Sequence, residues 1–206
     1  MITDHRIIEG KYFVLDPVDQ IYGTVVKVVT GERRRRNFAS PRLFDKGFYL
    51  LYINEHNGNP DPSDDELTTV LLDDNVIPKA ELTGDNDVEG KKIIICRERA
   101  IIRNEPGHRV IRGSFFVLRK AAQILGRAIE VITEERRTED TRECSLFARG
   151  MYLLYVDEQK EEGEKTRPLT LVLLDRDIIS ISCFTEENSI EGKVVMICPD
   201  QIQVIR

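Results

Sequence analysis

Leu43-Phe44-Asp45-Lys46-Gly47-Phe48-Tyr49-Leu50-Leu51-Tyr52 returns later in the chain as Leu146-Phe147-Ala148-Arg149-Gly150-Met151-Tyr152-Leu153-Leu154-Tyr155. In an extended chain side chains alternate between two faces. From Gly47 to Asn54, Phe48, Leu50 and Tyr52 then point one way and Tyr49 and Leu51 the other. A strand that is apolar on both faces is central and covered on both sides. The stretch therefore reads as the spine of a β unit, and its return makes the chain two such units.

The match extends outward from the spine. Laid on residues 108–159 without a gap, residues 5–56 are identical at 23 of 52 positions. Beyond a one-residue adjustment in a loop, Leu71-Leu72-Asp73 matches Leu173-Leu174-Asp175, and Glu89-Gly90-Lys91 matches Glu191-Gly192-Lys193. Such self-similarity marks an internal repeat. The sequence divides into a first repeat at 1–103, a short linker at 104–107 with a Pro-Gly turn signal, and a second repeat at 108–206. About 100 residues suffice for a core in each repeat.

Within each repeat the order is a strand bent at a glycine (Gly10, Gly113), a three-stranded meander, and one or two closing strands. A glycine at one place inside both first strands suggests a bend or bulge. The fold expected is mainly β: a tandem duplication of a small OB-like or SH3-like β-barrel unit. Residues 17–30 and 120–133 leave an alternative open. Their valines and threonines favour a strand, but their polar residues recur at nearly helical spacing. If they are helical, each unit is α+β, with one helix on an antiparallel sheet. Gly23 and Gly126 in mid-segment tip the reading to strand. A short strand is expected near residues 79–82 and 180–184, an acidic turn at 84–87, and one long last strand from Lys91 to Arg103.

The net charge is −6, with 41% hydrophobic and 32% charged residues. This composition suits a folded globular protein and argues against a surface that coats polyanions indiscriminately. No apolar run is long enough for a membrane span, and residues 1–5 do not resemble a signal peptide. The four cysteines, Cys96, Cys144, Cys183 and Cys198, form no Cys-x-x-Cys pair. Two of them sit in apolar strands, where cysteine acts as a small hydrophobe. No disulfide framework or zinc site is expected, and a cytoplasmic location is the default.

The strongest electrostatic feature is Glu32-Arg33-Arg34-Arg35-Arg36-Asn37-Phe38. Four consecutive arginines can meet phosphates and Phe38 can stack on a base. The second copy retains Arg136 and Arg137 but adds acids. The competing reading is a solvated hairpin end laced with ion pairs. Tyr49, Tyr52, Tyr152 and Tyr155 with Phe44 and Phe147 are either a stacking platform or core. Asp73 and Asp175 are either paired carboxylates for metal or acid–base work or the caps of strand-ending turns. His5 and His108 recur beside an arginine at the repeat starts, while His56 has no counterpart. No phosphate loop, nucleophile elbow or zinc-protease motif occurs.

These residues point to a non-catalytic binding protein with no cofactor and no metal. The expected ligand is single-stranded nucleic acid, held by Arg33, Arg34, Arg35, Arg36 and Phe38 with Arg136 and Arg137. The alternatives are a protein–protein interaction or assembly module, with a homo-oligomer as one form of it, and an enzyme with a site between the repeats.

Overall fold

The computed structural model describes residues 5–10, 12–16, 20–31, 41–56, 61, 63, 66–103, 107–119, 123–134, 144–159, 169–198 and 200–205. The protein is mainly β, and its strands pair antiparallel. The first half holds β1 (His5–Glu9), β2 (Phe13–Asp16), β3 (Ile21–Val29), β4 (Phe48–Glu55), β5 (Thr68–Asp73), β6 (Lys92–Cys96) and β7 (Arg99–Arg103), with the short helix α1 (Pro41–Asp45). The second holds β8 (His108–Arg112), β9 (Phe116–Arg119), β10 (Ile124–Ile132), β11 (Met151–Glu158), β12 (Thr170–Asp175), β13 (Val194–Cys198) and β14 (Gln201–Ile205), with α2 (Cys144–Ala148). Every element of the first half thus recurs in the second.

The compact units follow different boundaries from the sequence repeats. One unit is contiguous, residues 17–118; the other is composite, residues 1–16 with 119–206. In the contiguous unit the strand order is β9-β5-β4-β3-β6-β7-β8. In the composite unit it is β1-β14-β13-β10-β11-β12-β2. The first strand pair of each repeat therefore completes the sheet built by the other repeat. His5 lies opposite Ile205 and Leu15 opposite Leu171, while His108 lies opposite Arg103 and Leu118 opposite Thr69. The end strands of each order, β1 with β2 and β8 with β9, are consecutive in the chain but have no ladder between them among the described residues. Neither sheet is closed by strand pairing.

Residues 21–29 form a strand, not a helix, and the register explains their misleading spacing. β3 pairs β4 from Gly23 opposite Glu55 to Val25 opposite Ile53, then resumes one residue out of step at Lys27 opposite Tyr52. The same bulge lies between Ala128 and Glu130 in β10. One extra residue breaks the period of two and brings the pattern near 3.6. The mid-strand glycines have a direct cause. A Cβ on Gly23 would stand 2.4 Å from the backbone oxygen of Asn54, and one on Gly126 2.4 Å from that of Asp157. Just before the bulge, the Val25 N–H donates to the Lys91 carbonyl, and its own carbonyl accepts from Gly90. Glu89 then reaches back, its Oε1 accepting from the Val28 N–H at 3.0 Å. Glu191 does the same for Val131 at 3.4 Å. The recurring Glu-Gly-Lys turn is thus a clamp on the bulge.

Two further expectations are corrected. Residues 92–103 are a hairpin, β6 and β7, turning at Arg97 and Glu98, because the run of alternating residues is broken by those two exposed charges. Residues 79–81 and 181–183 are 3-10 turns, not strands, each followed by a second turn at Gly84–Asn86 and Glu186–Asn188.

Each unit has its own core. Val25, Tyr49, Leu51, Leu72 and Ile93 pack with Ile111 and Phe115 of the donated pair in the contiguous unit. Ala128, Tyr152, Leu154 and Val195 pack with Ile8, Tyr12 and Val14 in the composite unit. Burying a side chain of this size contributes about 1.5–3 kcal/mol, so the donated strands bring substantial stability to the unit they complete. The bend within each pair lies against the other repeat's strand-ending turn. A Cβ at Gly10 would meet Ile179, and one at Gly113 would meet Ile77.

Candidate functional site

Most of the polar residues that recur in both repeats serve the backbone. The Asp73 Oδ1 accepts from the Asn75 N–H, and the Asp175 Oδ1 from the Asp177 N–H, both at 2.9 Å. These are the turn caps expected of an aspartate that ends a strand. Tyr49 donates its hydroxyl to the Ile77 carbonyl at 2.7 Å, and Tyr152 to that of Ile179 at 2.6 Å. Burial pushes both phenols above the ordinary tyrosine range, with further repulsion from Asp74 and Asp73 on Tyr49 and from Cys183 on Tyr152. Both rings belong to the core, and they cannot serve as a stacking platform. Arg6 and Arg109, which follow His5 and His108, donate to the Asn188 and Asn86 carbonyls and tie the donated strand to the second 3-10 turn. No cluster of three metal-ligating side chains occurs among the described residues.

Arg33, Arg34, Arg35, Arg36 and Phe38 lie outside the described residues, as do Arg136 and Arg137. The chain leaves β3 just before the first group and re-enters at α1, which leads into the spine β4.

A second assembly of chemistry lies on the outer face of β3, β6, β7 and β8, and its residues escaped the sequence reading. Inward side chains here are Ile21, Ile93, Ile95, Ala100, Ile102 and Ile111, all buried. The alternate residues face out and line up across the strands. One row is Tyr22, Ile94, Ile101 and Val110, each opposite the next. Beside it run Thr24, Lys92, Arg103 and His108. On its other side are Cys96, Arg99 and Arg112. Tyr22 is 38% and Val110 51% exposed. None of these residues is acidic, and Lys92, Arg99, Arg103 and Arg112 are four exposed cations.

Tyr22 anchors this face. The His56 ring lies 4.6 Å from it, centroid to centroid, tilted by 47°. His56 Nε2 is 3.4 Å from the Thr24 hydroxyl. The Arg103 guanidinium sits 5.7 Å from the Tyr22 centroid, within cation–π range. His56 is therefore not isolated, as its lack of a counterpart suggested. The arrangement offers a flat ring next to fixed cations. That chemistry suits a planar, anionic ligand, with the ring supplying a stacking surface and Arg and Lys the charge. The alternation Lys92/Ile94/Cys96 and Arg99/Ile101/Arg103 carried the signal, but only once a turn is placed at Arg97.

The equivalent face of the composite unit differs. Leu125, Met196, Gln203 and Ile7 form its central row, and among the described residues its flanks carry one exposed cation, Arg127, and one exposed acid, Glu9. Comparison with protein-family models, with curated proteins and with solved structures finds no match to this chain.

Proposed function

We propose that the protein is a non-catalytic binding module of two β-barrel units, OB-like or SH3-like, that takes single-stranded nucleic acid through the arginine run Arg33–Arg36 and Phe38, with Arg136 and Arg137 as a weaker second contact. In this reading each barrel is closed by the bend at Gly10 or Gly113, which joins the two strands at opposite ends of its strand order. The observation that carries the reading is the division of labour between shared and unshared residues. Asp73, Glu89, Tyr49 and their counterparts hold backbone, as a scaffold requires, while the dense positive charge belongs to one repeat. Consecutive arginines suit phosphates because each guanidinium presents a planar fork of donors. The cytoplasm is the proposed location, with a reducing environment for Cys96, Cys183 and Cys198, which are free thiols.

Filter binding at low salt tests the reading. The native chain is expected to retain single-stranded DNA or RNA, with affinity falling steeply as salt rises. Replacing Arg34, Arg35 and Arg36 by alanine removes up to three phosphate contacts, and the slope of log K against log salt is expected to drop by about 2. A native chain that retains neither DNA nor RNA at low salt refutes the proposal.

A further inference from the structure

We propose that the outer face of β3, β6, β7 and β8 is a second contact surface for the same strand, with Tyr22 as the platform on which a base stacks and Lys92, Arg99, Arg103 and Arg112 as the groups that hold its phosphates. This inference rests on the nucleic-acid reading above, but on none of its residues.

Three observations carry it. Among the described residues the four cations share their cross-strand rows with no acid, on a chain whose net charge is −6. A local field of opposite sign to the whole molecule selects an anionic ligand, and an exposed ring among the cations favours one that carries planar bases. Next, the exposed ring is already oriented. The His56 ring stands 4.6 Å from it, tilted, and the Arg103 guanidinium lies over it at 5.7 Å, so the ring is held in place and little side-chain freedom is lost when a base arrives. Finally, the composite unit shows what the same scaffold looks like without these groups. Leu125 stands where Tyr22 stands, Gln159 where His56 stands, Val194 where Lys92 stands, and Gln201 where Arg99 stands. The rings and cations are not needed to build the sheet.

A base stacked on Tyr22 needs an accessible π-face, which a paired duplex does not offer. The ligand is therefore single-stranded. Four strands about 4.8 Å apart give the face a width of roughly 15 Å, room for a few nucleotides running across the strands.

The test uses the full chain and fluorescence anisotropy with a labelled mixed-sequence 12-nucleotide single strand, its duplex, and a labelled oligoglutamate peptide as probes. Tyr22→Leu installs the residue that the composite unit carries at this position, so folding is expected to persist and is checked by urea unfolding. It should weaken single-strand binding roughly 5- to 100-fold, while Tyr22→Phe should retain it. Arg103→Gln should weaken binding and lower the salt slope by about 0.7. Native-like binding by Tyr22→Leu overturns the surface while leaving the arginine-run reading intact. Loss of binding on Tyr22→Leu, with none on replacement of the arginine run, upholds the surface and overturns the run. No single-strand binding by the native chain overturns both. Oligoglutamate or duplex bound as tightly as the single strand overturns the surface as a base-stacking site.

Discussion

The contiguous and composite units are built to one plan and finished differently. Bulge, clamp, turn cap and buried tyrosine recur at matching places, down to Gly23 and Gly126, where an added Cβ would run into the backbone of the neighbouring strand. The outward rows do not recur. One face carries Tyr22 and four cations; the other carries Leu125, one cation and one acid. The difference teaches where constraint acts when one plan is built twice in a chain. Residues that hold a backbone carbonyl or fill a core cannot change alone, since each is tied to a partner. Outward residues on a formed sheet change at little cost in stability.

The largest effect that tests this equivalence is expected at the paired glycines. Gly23→Val and Gly126→Val each drive a side chain into a neighbouring strand's backbone and should cost about 3 kcal/mol or more, by equal amounts, in urea unfolding. If either position accepts valine, the two units do not share a scaffold in the sense argued above.

A smaller effect should separate the units. The composite unit buries two tyrosines, Tyr12 and Tyr152; the contiguous unit buries Tyr49 and has Phe115 in the place of Tyr12. Tyr12 donates to the Ile8 carbonyl at 2.7 Å, and burial raises its phenol as it does the others. A raised folded-state pKa leaves stability intact below the unfolded value of about 10 and removes it as pH climbs past that point, because only the unfolded chain ionises freely. Each buried tyrosine should then cost up to about 1.4 kcal/mol per pH unit above about 10. Tyr12→Phe should reduce the alkaline loss measured between pH 9 and pH 11; an unchanged loss would show that Tyr12 does not distinguish the units.

The smallest effect concerns the clamp. Glu89→Ala and Glu191→Ala each remove an acceptor from a bulge amide and should cost about 1 kcal/mol. The loss should be greater at Glu89, whose bond is 3.0 Å against 3.4 Å. Equal losses would mean that the bulge amides find other acceptors.

Much of the scaffold was legible because it rests on local alternation. The spine, the bend at Gly10 and Gly113, and the turn caps at Asp73 and Asp175 follow from burial on both faces, from a missing side chain and from a short carboxylate. The bulge at Val26 gave a strand near-helical spacing and kept a helix open as the alternative, since one inserted residue shifts every later side chain to the opposite face. The hairpin turn at Arg97 and Glu98 has no glycine or proline to announce it. The outer face was invisible for a different reason. Tyr22, Ile94, Ile101 and Val110 are far apart in sequence and become a row only through register. The units' boundaries were equally hidden, because residues 5–16 and 108–119 carry nearly the same pattern and sequence does not say which slot each one fills.

That choice of slot has a consequence for the order in which the protein can be completed during synthesis. The contiguous unit has all its strands once residue 119 has been made. β1, made before any of these, finds its partner only when residues 201–205 follow, 82 residues later by the difference of 201 and 119. At 5–20 residues per second this is a wait of about 4–16 s. Throughout it, a strand pair that closely resembles β8 and β9 is tethered to the very sheet they must complete. The nascent chain thus carries a ready substitute for its own next element, and folding has to release or bypass that substitute before both halves are whole.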